Sequence, residues 1–191
     1  VLVWTGLLDG APASFKRGVV AYMQARQDPA SGFFRDPQHR DSYTHNTLNR
    51  AAGMASASLR NCGGAPLYPM PLDRVEENDE AAKHYAHLQS PESLRAWLAE
   101  LPWDRRVWTA GARLRAHSGV FKQMPEPRRS RMLAVVESFV AAQQREDGFF
   151  GTDEDYWTSK LSGSYKVASF LDKNGRDVPR ADRMAETVLG H

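Results

Sequence analysis

Apolar positions recur at three- and four-residue steps along several stretches of this chain. The clearest is Arg128 to Gln144, where Met132, Val135, Val136, Phe139 and Val140 share one face while Arg131, Glu137 and Ser138 point elsewhere. Similar patterns predict one-sided helices over Ala13 to Ala25, Pro91 to Leu101 and Pro179 to Leu189. Ser90 supplies an N-cap with Pro91 at the first helical position, and Pro179 offers a comparable opening. A second set of helices is rich in small residues throughout: Tyr43 to Asn61 contains AAGMASAS, Trp108 to Phe121 contains TAGARLRAHSG, and Thr158 to Lys173 contains SKLSGSYKVAS. Glycine and serine inside a helix cost roughly 0.5 to 1 kcal/mol each relative to alanine, which close approach of neighbouring helices would offset. The pattern therefore predicts an all-α fold in which outer and inner helices alternate as an arc of hairpins with antiparallel neighbours. The inner helices should be the more buried.

One passage occurs twice. Val19 to Phe34 reads VVAYMQARQDPASGFF and Phe139 to Phe150 reads FVAAQQREDGFF, each an apolar helical stretch followed by Gln, an acidic residue and Gly-Phe-Phe. Each copy leads into a small-residue segment that closes on Gly and then Pro, at Gly64 with Pro66 and Pro69 and at Gly175 with Pro179. Self-similarity of this kind marks stacked repeats. The four phenylalanines are expected to be structural, plugging the gap between consecutive hairpins. Val1 to Leu8, followed by Asp9-Gly10-Ala11-Pro12, reads as the tail of a further inner helix, so the chain is expected to be a fragment that starts inside a repeat.

Composition adds exclusions. The 191 residues, 41% hydrophobic and 25% charged, are enough for a real core and are read as one domain. No apolar run is long enough to span a membrane, and Val1 to Leu8 lacks the flanks of a signal peptide. A net charge of +2, with basic residues scattered among 23 acidic ones, leaves no nucleic-acid footprint. The densest basic cluster, Arg128-Arg129-Ser130-Arg131, is read as a solvated helix start. Cys62 alone excludes an internal disulfide, and a free thiol suits a reducing, cytoplasmic setting.

Gln27 with Gly32 and Phe34, and Gln144 with Gly148 and Phe150, are similar to the QW-type repeat of the terpenoid cyclase and protein prenyltransferase α/α-toroids, with Phe where the strict motif has Trp. The stretch SPESLRAWLAELPWDRRVWTAGARL and the end SGSYKVASFLDKNGRDVPRADRMAETVL resemble a group of bacterial toroid proteins without a settled activity, known mainly from carbohydrate-utilising bacteria. The resemblance implies a partial α/α toroid over residues 1–191, with repeats missing at least N-terminally. It implies no catalytic signature.

In such a fold the ligand cavity opens where inner helices begin, after the loops Arg35 to Ser42, Leu101 to Val107 and Gly151 to Trp157. These bring together His39, Asp41, Trp103, Asp104, Arg106, Trp108 and Trp157, a mixture of aromatic and polar groups that suits a sugar; the plain alternative is that Trp103, Trp108 and Trp157 fill space between helices. Tyr43, His45 and Tyr165 could act as acid and base in a lyase-type site, with Arg106 and Lys166 neutralising a uronate carboxylate and Trp108 and Trp157 contacting the ring. Asp147, Asp153 and Asp155 could instead supply a glycosidase carboxyl pair, although each also suits a turn and His45 suits a helix N-terminal hydrogen bond. Asp153-Glu154-Asp155-Tyr156 lacks the last Asp of the acid motif of class II terpene cyclisation. His84 and His87 lie three apart without an evident third ligand, so neither a metal nor another cofactor is expected.

The leading expectation is a carbohydrate-active or carbohydrate-binding domain, of polysaccharide lyase or glycosidase type if catalytic, whose partner is an oligosaccharide or other small molecule. A non-catalytic helical scaffold is the alternative, and a terpenoid cyclase-like protein the third. Substrate and oligomeric state are not legible.

Overall fold

A helix, a turn, a second helix and a return segment recur as one structural unit. The computed structural model describes residues 7–190, less the side chains of Arg40 and Asp41. The expected helix tail over Val1 to Leu8 falls almost entirely outside the described residues. Among those residues the structure is all-helical, and the β-type pairing is a single antiparallel bridge between Gln27 and Phe34. Among the described residues no helix is long and apolar enough to cross a membrane. The chain divides into two compact units between Tyr85 and Ala86.

The first unit holds α1 (Ala13–Gln24), α2 (His45–Asn61) and α3 (Asp79–His84), with short 3-10 turns at Pro37–Ser42 and Pro71–Arg74. Thr44 and Thr47 close a reciprocal capping box at the start of α2, and Asn78 caps α3. Leu48, Ala52, Ala55 and Leu59 make one buried stripe of α2, against which Phe34, Met70, Val20 and Met23 pack. Among the described residues a β-carbon on Gly53 would meet nothing within 4 Å, so none of them packs closely on that side of α2.

The second unit holds α4 (Pro91–Glu100), α5 (Val107–Ala116), α6 (Ser118–Gln123), α7 (Arg128–Gln143), α8 (Trp157–Lys173) and α9 (Ala181–Leu189). The expected helix from Trp108 to Phe121 breaks at His117 into α5 and α6. Ser90 caps α4 in a box with Ser93, with Pro91 at its first turn as expected. Pro179 does not open α9. Its carbonyl is engaged elsewhere, and the helix begins after Arg180, whose φ of 46° excludes it from the helix.

The lateral neighbours α5 and α8 are parallel rather than antiparallel. Val107 packs at Gly163, Trp108 at Lys166 and Arg115 at Ser169, so both helices advance in the same direction, and Phe121 of α6 continues it at Phe170. Glycine makes this contact possible. A β-carbon on Gly111 would lie 2.5 Å from the Gly163 carbonyl oxygen, and one on Gly163 would lie 2.9 Å from the Val107 backbone. The outer helices α4 and α7 are also parallel, since Arg128 at the start of α7 reaches the Leu88 carbonyl and Phe139 near its end meets Trp103. The two helix pairs thus lie side by side, α5 on α8 and α4 on α7. The burial ranking holds for α1 and α9, which bury no residue, and fails for α7, which buries Met132, Leu133, Val136, Phe139 and Val140.

After α2 and after α8 the chain turns at a positive-φ glycine, Gly63 or Gly175, with a bond from the next residue back to Leu59 or Leu171. It then runs back along its own outer helix. In the second unit Asn174 meets Arg129, Arg176 pairs with Glu137, and Pro179 meets Gln144. In the first unit Gly64 packs on Val20, Ala65 accepts from Gln24, and Tyr68 meets Gln27. Two of the arginines read as a solvated patch are therefore structural ties, Arg128 to Leu88 and Arg129 to Asn174.

The repeated Gln locks the arrangement. Gln27 Nε2 donates to the Gly32 and Tyr68 carbonyls at 3.3 and 2.8 Å, while its Oε1 accepts from Tyr68 N. Gln144 Nε2 donates to the Gly148 and Pro179 carbonyls at 2.7 and 2.6 Å. Because Pro179 stands where Tyr68 stands in the first copy and carries no N–H, Gln144 Oε1 is buried without a partner. Each glycine carries positive φ, 75° at Gly32 and 82° at Gly148, and its added β-carbon would strike Pro69 O at 2.3 Å or Met184 N at 2.4 Å.

Phe33, Phe149 and Phe150 are wholly buried and Phe34 nearly so, with Phe150 beside Trp103 of the neighbouring hairpin. Phe150→Ala should therefore cost about 3 to 5 kcal/mol in denaturant unfolding, and a loss below about 1 kcal/mol would show that its ring is not core. Gln144→Ala leaves two carbonyls short of a donor and should cost about 1 to 3 kcal/mol. Gly148→Ala combines strain with a backbone collision, so equilibrium unfolding should show a loss on the order of 2 kcal/mol or more.

Candidate functional site

The α5–α8 seam carries an exposed aromatic and cationic surface. Since Gly111 and Gly163 bring the two backbones together, the long side chains flanking them are left outside. Trp108 on the first turn of α5 is 50% exposed, and the Lys166 ammonium lies 4.6 Å from its ring centroid. One heptad further along α5, the Arg115 guanidinium lies 5.7 Å from the ring centroid of Tyr165, which is 59% exposed. Arg115 Nε donates to Ser169 Oγ at 3.3 Å, and Lys166 Nζ donates to Ser162 Oγ at 2.5 Å.

Neither Arg115 nor Lys166 has a carboxylate partner among the described salt bridges. Burial, and secondarily Arg115, hold the Lys166 ammonium below the usual lysine value of 10.5. Lys173, on the same helix, is lowered by burial and by Arg115 and Lys122. The surface thus presents ring faces for apolar C–H groups and positive charge for an anion.

The remaining candidates are distributed differently. Arg106 flanks the start of α5 but borders a shallow cleft of about 510 Å³ with Arg105, Thr109 and Arg113. Trp157 is half-buried against Phe149 at 5.1 Å, and Trp103 is buried with its Nε1 donating to the Leu98 carbonyl at 2.7 Å. The space-filling account fits these two tryptophans and fails for Trp108. In the first unit, Tyr43 Oη accepts from Asp36 N at 2.9 Å, a tether for the loop before α2. His45 lies in the first turn of α2, stacked on His84 at 3.9 Å. Tyr43 and His45 thus belong to one unit and Tyr165, Arg106, Trp108, Trp157 and Lys166 to the other.

The acidic candidates hold turns. Asp147 accepts from Phe149 N and pairs with Arg145 at 3.3 Å, Asp153 pairs with Arg145 at 2.5 Å, and Asp155 accepts from Thr152 N at 2.8 Å. His39 is exposed, and the Asp41 side chain lies outside the described residues. His84 and His87 do not share a helical face, because α3 ends at His84. His84 Nε2 lies 2.9 Å from Asn49 Oδ1, which also accepts from Tyr85 Oη, and burial pushes that phenol's pKa up.

Sequence reasoning missed Arg115, although its seven-residue spacing from Trp108 places both on one helical face. It also missed His117, whose place at the α5–α6 junction gives no periodic signal.

No protein-family model matches this chain, and no curated protein or solved structure matches it either.

A lysine whose pKa is depressed on folding binds its proton less tightly in the folded state. Charged Lys166 therefore costs stability at neutral pH, and the cost is relieved as pH rises through its folded value towards 10.5. Lysine-selective NMR titration should show Lys166 deprotonating below 10.5 and Arg115→Gln moving it only part of the way back, since burial is the larger cause. Titration of the wild-type group at or above 10.5 would refute the account.

Proposed function

We propose that this chain is an α/α-toroid-type helical domain that binds an acidic carbohydrate along the α5–α8 seam. The observation that carries the reading is the half-exposed Trp108 indole with the Lys166 ammonium at its ring, continued by Tyr165 and Arg115. An indole face covers the C–H surface of a sugar ring, and the two cations meet carboxylates. The toroid part is supported by parallel inner helices, parallel outer helices and the twice-used Gln-Gly-Phe-Phe lock. Binding is the function assigned here. The acid/base roles considered for Tyr43, His45 and Tyr165 are not part of it, because Tyr43 is engaged in a loop tether and Tyr165 faces Arg115.

Calorimetric titration with an oligouronate and with a neutral oligoglucoside of the same length tests this. The oligouronate should bind more tightly, with Trp108→Ala weakening it at least about tenfold, or about 1.4 kcal/mol. Lys166→Gln should narrow the preference for the acidic sugar. Equal affinity of Trp108→Ala and wild type would move the site elsewhere, and no binding of either sugar would sink the reading.

A helical scaffold is the second reading, favoured by α1 and α9. Neither buries a residue, and between them they expose Phe15, Tyr22, Val188 and Leu189.

A further inference from the structure

In the second unit two imidazoles meet nitrogen to nitrogen. His117, at the junction of α5 and α6, is wholly buried, and its Nδ1 lies 2.8 Å from the Arg113 carbonyl oxygen. A carbonyl only accepts, so the ring's proton is on Nδ1 and the Nε2 lone pair points the other way. That Nε2 lies 2.9 Å from Nε2 of His87, on the 3-10 turn Ala86–Leu88. Trp97 of α4 supports both rings, stacked on His87 at 4.6 Å and edge-on to His117 at 4.8 Å. The His87 turn is itself anchored, since Ser93 Oγ donates to the His87 carbonyl at 3.3 Å and Arg128 donates to the Leu88 carbonyl at 2.9 Å.

A histidine whose Nδ1–H is given to a backbone carbonyl while Nε2 is presented to a partner is oriented as metal-binding histidines are. Neutral imidazole nitrogen is a donor preferred by zinc and neighbouring divalent transition metals. We propose that His87 and His117 bind one such ion through their Nε2 atoms, with donors outside the pair completing its coordination. Bonds of about 2.0 to 2.1 Å set two nitrogens about 3.4 Å apart around a tetrahedral ion, so the pair must open by about 0.5 Å. The His87 side chain, which is only part-buried, supplies that movement by rotating on its anchored turn, while the Arg113 carbonyl holds His117 in place. In the metal-free pair His87 Nε2–H donates to His117 Nε2. The ion replaces that bond and requires the other neutral tautomer of His87.

Titration of the whole chain with cobalt(II) chloride and then zinc chloride tests the proposal, reading visible cobalt absorption, tryptophan fluorescence and the thermal midpoint. One cobalt per chain should bind and be displaced by zinc. Cobalt should quench Trp97, and Trp97→Phe should lose that quenching while keeping the cobalt absorption. The midpoint should rise by about 5 to 10 °C at a hundredfold excess of zinc over its Kd. His87→Ala and His87→Gln leave the buried His117 ring in place and should each weaken zinc binding at least about tenfold. Absence of metal binding by the wild type, unchanged affinity in the folded His87 variants, or quenching that persists in Trp97→Phe would each overturn the proposal.

Discussion

A buried glutamine amide at the end of an outer helix is the constraint on which the rest of the structure depends. Gln27 and Gln144 are 5% and 6% exposed, so their amides must find partners inside the protein. They find one carbonyl in the turn that follows the helix and another in the segment that returns after the inner helix. A single side chain thereby sets both the turn and the path of the return. Gly32 and Gly148 follow from the same geometry, since the backbone they meet lies where a β-carbon would be. The two phenylalanines after each glycine are then delivered to the interior.

The second constraint is the glycine contact between α5 and α8. It lets the two backbones approach until Gly111 and Gly163 touch, and that closeness determines what lies on either side. Leu114, Val167 and Phe170 go inward, whereas Trp108, Arg115, Tyr165 and Lys166 are displaced to the outer edges of the seam. The two cations donate to hydroxyls, which are neutral, and among the described residues no carboxylate pairs with either, so their charges are left for a ligand. The break at His117 has a related consequence. Ending α5 there turns an imidazole into the interior, where the turn before α4 presents a second one.

Much of this organisation is legible in residues taken singly. The period of Met132, Val136, Phe139 and Val140 announces α7, and Ser90-Pro91 announces α4. The duplicated Gln-Gly-Phe-Phe shows that two parts of the chain do the same structural work. Small-residue content is a weaker guide: it marks the close contact at Gly111 and Gly163 but also points to Gly53, which none of the described residues approaches closely. A glycine in a helix shows that close approach is possible, not that a partner uses it.

The chain's own sequence determined its all-helical class and the identity of the repeated lock, because these depend on local periodicity, caps and the backbone freedom of glycine. Only the tertiary structure decided which candidates share a surface. Arg106 lies close to Trp108 in sequence, yet it borders a different cleft; Lys166, far along the chain, has its ammonium at the Trp108 ring. His87 stands at helical spacing from His84 in the sequence, but the helix stops at His84 and His87 meets His117, thirty residues on. Periodicity fixes the direction in which a side chain leaves its own helix. Which side chain it meets there depends on how helices pack, and that is set by contacts between residues far apart in the chain.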